Sequence, residues 1–216
     1  MAYKTDQIHT SFSFHEIIAN SASHALGVGL SIAGLVVLIV HGATLRDPWY
    51  LGGVIVFGIS LILLYLASAV YHGTPQLRVN GFLQRLDHAA IFVLIAGTYT
   101  PFLLTKLRGT FGWITFGLVW GLALITVVAK LVLTTRFAKP PVWLYVVMGW
   151  FAVLVFNQAM REIGVASLVF LVVGGVLYTA GIVFYRWQRL PFGHAIWHLF
   201  VIAGSAFHFF SVMQLI

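Results

Sequence analysis

The stretch PWYLGGVIVFGISLILLYLASAVYHGTPQL, residues 48–77, runs for thirty residues without an aspartate, glutamate, lysine or arginine. A bilayer core about 30 Å thick is crossed by roughly 20 helical residues, so this stretch is long enough and apolar enough to span a membrane. Six more windows free of those four residue types lie on either side of it, at 22–45, 88–105, 109–129, 140–160, 163–185 and 190–216. They predict helices over 22–43, 49–72, 87–105, 111–131, 141–159, 164–185 and 193–214, an all-α polytopic membrane protein with seven transmembrane helices. Residues 1–216 form one membrane domain on this basis, with residues 1–21 as a cytoplasmic N-terminal segment.

Composition agrees. The 216 residues are 61% apolar and 8% charged, whereas a soluble domain carries about 25% charged residues. The first twenty residues have no apolar core of signal-peptide length, so the first span is expected to direct its own insertion. The chain has no cysteine. A disulfide framework and a thiolate metal site are therefore excluded, and a transition metal would need histidine or carboxylate ligands. The net charge of +7 comes from basic residues scattered over the connections. Such scatter suits anionic lipid headgroups and argues against a nucleic-acid partner.

Charge and helix-breaking residues coincide between the windows, at Arg46-Asp47-Pro48, Gly73-Thr74-Pro75, Lys106-Leu107-Arg108-Gly109, Lys139-Pro140-Pro141, Arg161-Glu162 and Arg189-Leu190-Pro191. Turns this short make neighbouring helices antiparallel. Trp49, Tyr50, Trp113, Trp143 and Trp187 fall near span ends, where an amphipathic ring suits the headgroup layer. With the N-terminus inside, Lys4, Arg78, Arg85, Lys130, Arg136, Lys139, Arg186 and Arg189 are cytoplasmic, against Arg46, Lys106, Arg108 and Arg161 outside. The positive-inside rule thus predicts an N-terminus in the cytoplasm and a C-terminus outside, in a plasma membrane of the bacterial inner-membrane kind.

An ionisable side chain within a span costs about 2.5–3.5 kcal/mol unless it is paired, wet or bound, which makes such residues functional candidates. Three groups stand out: Ser68-Ala-Val-Tyr-His72, Asp87-His88 and His194-Ala-Ile-Trp-His198. Residues four apart share a helix face, so His194 and His198 are placed to grip one ion and Ser68 lies beside His72. The predicted orientation brings all these groups to one depth. Three neutral imidazoles leave a tetrahedral metal one open position, the layout of a catalytic zinc site, and zinc is the expected ion. Asp87 is either a fourth ligand or a base for a water at that position, and Ser68 either orients the water or bonds back to its own helix. Glu16, Asn20 and His24 recur every four residues. They either cap the first helix or support the metal site from behind. His88 points away from Asp87, and His208 lies about 21 Å beyond His194 in another layer. Gly97-Thr-Tyr-Thr-Pro101 predicts a proline-disturbed helix, and Gly117 with Gly121 a helix contact.

These stretches resemble the hemolysin III family, the bacterial branch of the progestin and adipoQ receptors (PAQR). The similarity is carried by EIIANSASH (16–24), YLASAVYH (65–72), LDHAAIFVLIAGTYTP (86–101) and HAIWHLFVIAGSAFH (194–208). The resemblance implies seven helices and a zinc ion near the cytoplasmic side, held by His72, His194 and His198, with Ser68 and Asp87 as the matching serine and aspartate. Related receptors and alkaline ceramidases associate such a zinc-bound water with hydrolysis of lipid amides. The functions expected are therefore a zinc-dependent hydrolase acting on a lipid amide or ester that enters laterally from the bilayer, or a non-catalytic sensor of membrane state with structural zinc. A pore-forming cytolysin is third, since no ring of charge lines the spans.

Overall fold

In the computed structural model, residues 13–74, 81–132, 142–187 and 189–216 are described. They form α1 (Phe14–Leu45), α2 (Pro48–Gly73), α3 (Phe82–Leu104), α4 (Thr110–Val132), α5 (Val142–Gly149), a 3₁₀ segment (Trp150–Val155), α6 (Phe156–Glu162), α7 (Val165–Arg186) and α8 (Gly193–Met213). No strand occurs among the described residues. Six of these helices, α1 to α4, α7 and α8, are long and apolar enough to cross a membrane.

The helix ends follow local chemistry. The Ser13 hydroxyl accepts from the Glu16 amide at 3.3 Å while the Glu16 carboxylate accepts from the Ser13 amide at 2.9 Å, a capping box that starts α1 eight residues earlier than the apolar window suggests. Residues 14–21 are thus the first turns of α1 rather than a separate N-terminal segment. Asp47 caps α2 by accepting from the Trp49 amide at 2.8 Å, with Pro48 in the first turn, where its missing N–H is no loss. Helix α3 begins at Phe82 behind Gly81, which has φ +61°, so Asp87 lies in its second turn rather than at its start. Lys4, Pro75, Arg78, Arg136, Lys139, Pro140 and Pro141 lie outside the described residues.

The fifth span departs from expectation. Instead of one helix over 141–159 it is two short helices joined by the 3₁₀ segment. Tyr99 of α3 satisfies the backbone freed at the break: its hydroxyl accepts from the Ala152 amide at 2.7 Å and donates to the Gly149 carbonyl at 2.7 Å. Broken backbone survives at membrane depth only when protein groups or water saturate it, and here a side chain does.

Two helices form the centre. Of the most apolar window of α3, 67% is buried, and of α2 50%, against 22% for α1, α4 and α7. A β carbon on Gly53 would lie 2.8 Å from the Pro101 backbone, and one on Gly97 would collide with Ser60, so α2 and α3 meet at backbone distance through glycine. The Gly97–Pro101 stretch is thus a packing surface within a helix that continues past the proline. Gly117 and Gly121 make no such contact: nothing lies within 4 Å of a β carbon at either. Trp49, Trp113, Trp143 and Trp187 are exposed at helix ends, as expected, but Tyr50 is fully buried and donates to the Val212 carbonyl at 3.2 Å.

Candidate metal centre

Helix α2 carries His72 in its last turn, one residue before its end at Gly73, whereas α8 begins one residue before His194 and carries His198 one turn later. The α7–α8 turn is tight. The Gly193 amide bonds to the Leu190 carbonyl at 3.0 Å, and Phe192 has φ +56°. The Phe192 amide also bonds to Glu16 at 3.1 Å, tying the start of α8 to the start of α1.

This brings three imidazoles together. Nε2 of His72 and Nε2 of His194 are 3.2 Å apart. One ligand atom from each of His72, His194 and His198 falls within 4.8 Å of the others. Two nitrogens on a tetrahedral zinc at about 2.0–2.1 Å are separated by roughly 3.3 Å, so the donor spacing suits such an ion. His72 and His198 are buried, and His194 is half-buried. Nε2 of His198 is buried with no hydrogen-bond partner, as a nitrogen reserved for a metal would be. These residues can hold a metal ion, with chemistry that fits zinc.

The remaining candidates sort by helix. Ser68 is buried one turn before His72 on α2. Asp87 is buried on α3 and stands outside the three-histidine group. Its charge is felt by Lys130 of α4, Tyr145 of α5 and Tyr185 of α7, and the Tyr185 ring lies 5.7 Å from that of His194. Lys130 is itself buried inside α4, and its Nζ has no hydrogen-bond partner. His88 is not in the group; its backbone carbonyl accepts from the Tyr145 hydroxyl at 3.3 Å.

Glu16, Asn20 and His24 separate into two roles. Glu16 is exposed and serves as cap and inter-helix tie. Asn20 and His24 are buried, and the His24 ring centroid lies 3.7 Å from that of His198 and 6.1 Å from that of His72. All four side-chain polar atoms of Asn20 and His24 lack a hydrogen-bond partner. Helix spacing missed Ser23, whose hydroxyl lies 2.9 Å from Nδ1 of His198. The signal available was its place between Asn20 and His24, but the face α1 turns to α8 is fixed only by packing. His208 occupies a separate layer, as expected, with Nε2 donating to the Leu171 carbonyl at 3.2 Å.

An all-helical bundle with six long apolar helices, an interrupted seventh segment and three converging histidines is a multi-pass membrane protein with a candidate metal centre. The family model described as Haemolysin-III related matches residues 12–209, and the chain belongs to that family. It is 43% identical over 202 residues to a hemolysin-3 homolog of Bacillus subtilis (strain 168), covering 94% of this chain and 95% of that one. Against hemolysin-3 of Bacillus cereus the identity is 40% over 198 residues, 92% of this chain and 90% of the relative. A more distant likeness, 27% over 206 residues, links it to the human monocyte to macrophage differentiation factor, covering 93% of this chain and 84% of that protein.

Proposed function

We propose that the protein is a zinc-dependent hydrolase of a lipid amide or ester, working at the cytoplasmic end of the bundle. The observation that carries it is the approach of His72, His194 and His198 to one point, with the buried carboxylate of Asp87 outside the ligand set. Zinc, when bound, would supply a Lewis acid that lowers the pKa of a water to about 7 and polarises a carbonyl.

The chain's own residues supply the rest. His72, His194 and His198 would hold the ion. Asp87 takes a proton from the attacking water, and Lys130 of α4 places a positive charge near the carboxylate. Ser68, beside His72, orients the water or an imidazole. The substrate enters sideways from the bilayer, membrane lipids being the partners and nucleic acid none. Asp87 is kept for the proton, since its oxygens are not among the grouped donor atoms.

The test pairs metal content with turnover. Purified protein should contain one zinc per chain and cleave a member of a ceramide and phospholipid panel, with both properties lost in His72→Ala, His194→Ala and His198→Ala. Stoichiometric zinc with the whole panel untouched would reject the hydrolase. Undiminished zinc in all three variants would reject the centre.

A second assignment is a membrane-state sensor with structural zinc. It is favoured by the buried placement of ligands that cross-link α2 to α8 across 122 residues of sequence. In that case His198→Ala lowers stability in detergent and no substrate is turned over. The name hemolysin-3 carried by the relatives suggests a pore, which leakage from liposomes holding the pure protein would test.

A further inference from the structure

Helix α1 contributes no residue to the three-histidine group, yet beside the His24 ring it brings a hydroxyl to His198. Ser23 Oγ donates to the Asn20 carbonyl at 2.9 Å and lies 2.9 Å from Nδ1 of His198. A hydroxyl has one proton, and a backbone carbonyl only accepts. If the Ser23 proton pointed at Nδ1, its oxygen would face the Asn20 oxygen with no hydrogen between them. Both contacts are satisfied in one arrangement: O–H toward Asn20, and N–H on Nδ1 of His198 donating to Ser23.

A neutral imidazole with its proton on Nδ1 has a bare lone pair on Nε2. Nε2 is the His198 nitrogen without a hydrogen-bond partner. His198 is fully buried, so bulk water cannot set its tautomer in place of Ser23. A metal-ligating histidine commonly donates its other N–H to an oxygen that fixes ring orientation and raises basicity, and loss of such a partner costs about 10–100-fold in metal affinity.

We propose that Ser23 is a positioning residue of the metal centre, holding His198 as the Nδ1–H tautomer with Nε2 presented to the ion. The inference rests on the assignment of His72, His194 and His198 as ligands. It places a contact between α1 and the centre at a residue outside the Glu16, Asn20 and His24 spacing.

The test uses the purified full chain in detergent, stripped with chelator, with zinc affinity measured by competition against a chromophoric chelator. Cobalt absorption reports ligand geometry independently of activity. Ser23→Ala should weaken zinc binding about 10–100-fold and alter the cobalt bands, while the metal-free protein melts as wild type does. Ser23→Thr, which keeps the acceptor, should bind within about threefold of wild type. Wild-type affinity and bands in Ser23→Ala, beside a His198→Ala that has lost zinc, would overturn the role of Ser23 and leave the centre standing. So would weakened binding that Thr fails to restore and that comes with a lower metal-free melting temperature. Zinc retained in all three histidine variants would remove the centre, and this inference with it.

Discussion

Helix α8 carries polar layers that use their hydrogen-bonding capacity in opposite ways. At Ser205, seven residues and about 10 Å beyond His198, the Tyr65 and Tyr178 hydroxyls both lie 2.7 Å from the serine oxygen, joining α2, α7 and α8. Near the far end of the helix, Ser211 and Ser167 bond to each other's carbonyls at 2.7 Å each. At the metal end, by contrast, Asn20, His24 and Nε2 of His198 are buried without partners. A buried polar atom left unpaired costs about 1–3 kcal/mol, so the metal end is the costlier of the layers to bury.

The sharpest way to break this contrast is His198→Ala, which is expected to abolish zinc binding, as elemental analysis of the purified protein would show. Next is Asp87→Asn, which should leave zinc near stoichiometric yet slow lipid turnover about 10²–10⁴-fold, the usual worth of a general base. Equal loss of metal and turnover would instead make Asp87 a ligand. Adding zinc at 100 times its Kd to the stripped protein should stabilise it by about 2.7 kcal/mol, seen as a raised melting temperature. Ser205→Ala should preserve zinc affinity and lower stability by about 0.6–1.7 kcal/mol in reversible unfolding, the range for interhelical hydrogen bonds in membranes. Loss of zinc in Ser205→Ala would mean that the two layers are coupled. Smallest of all is Gly117→Ala, expected to change stability by less than about 0.5 kcal/mol because nothing lies within 4 Å of the new methyl group.

The spans and the candidate metal end are legible in the sequence. Uncharged windows counted the spans, and their alternating direction placed His72, Asp87 and His194 at one end, because these inferences need only length and spacing along single helices. Contacts between helices were less accessible. Tyr50 reads as an interfacial ring from its position beside Trp49 but is buried, because α2 turns that residue toward α8. Gly117 and Gly121 have the spacing of a helix contact but face outward, since α4 presents another side to α3. The interruption of the fifth span is written only partly in its own residues. Its freed groups are satisfied by Tyr99, some fifty positions earlier. Ser23 is hidden for the same reason: rotation of α1 about its axis decides whether Ser23 or its neighbours reach His198.

The separation of the ligands along the chain has a consequence for biogenesis. His72 enters the membrane with α2, while His194 follows 122 residues later in the last helix. At about 5–20 residues per second of synthesis, His72 waits on the order of ten seconds for its partners. On the proposed assignment the three-histidine group can assemble only once α8 is made, and metal retention becomes a readout of α8 docking: a molecule in which α8 has failed to dock lacks His194 and His198 at the site.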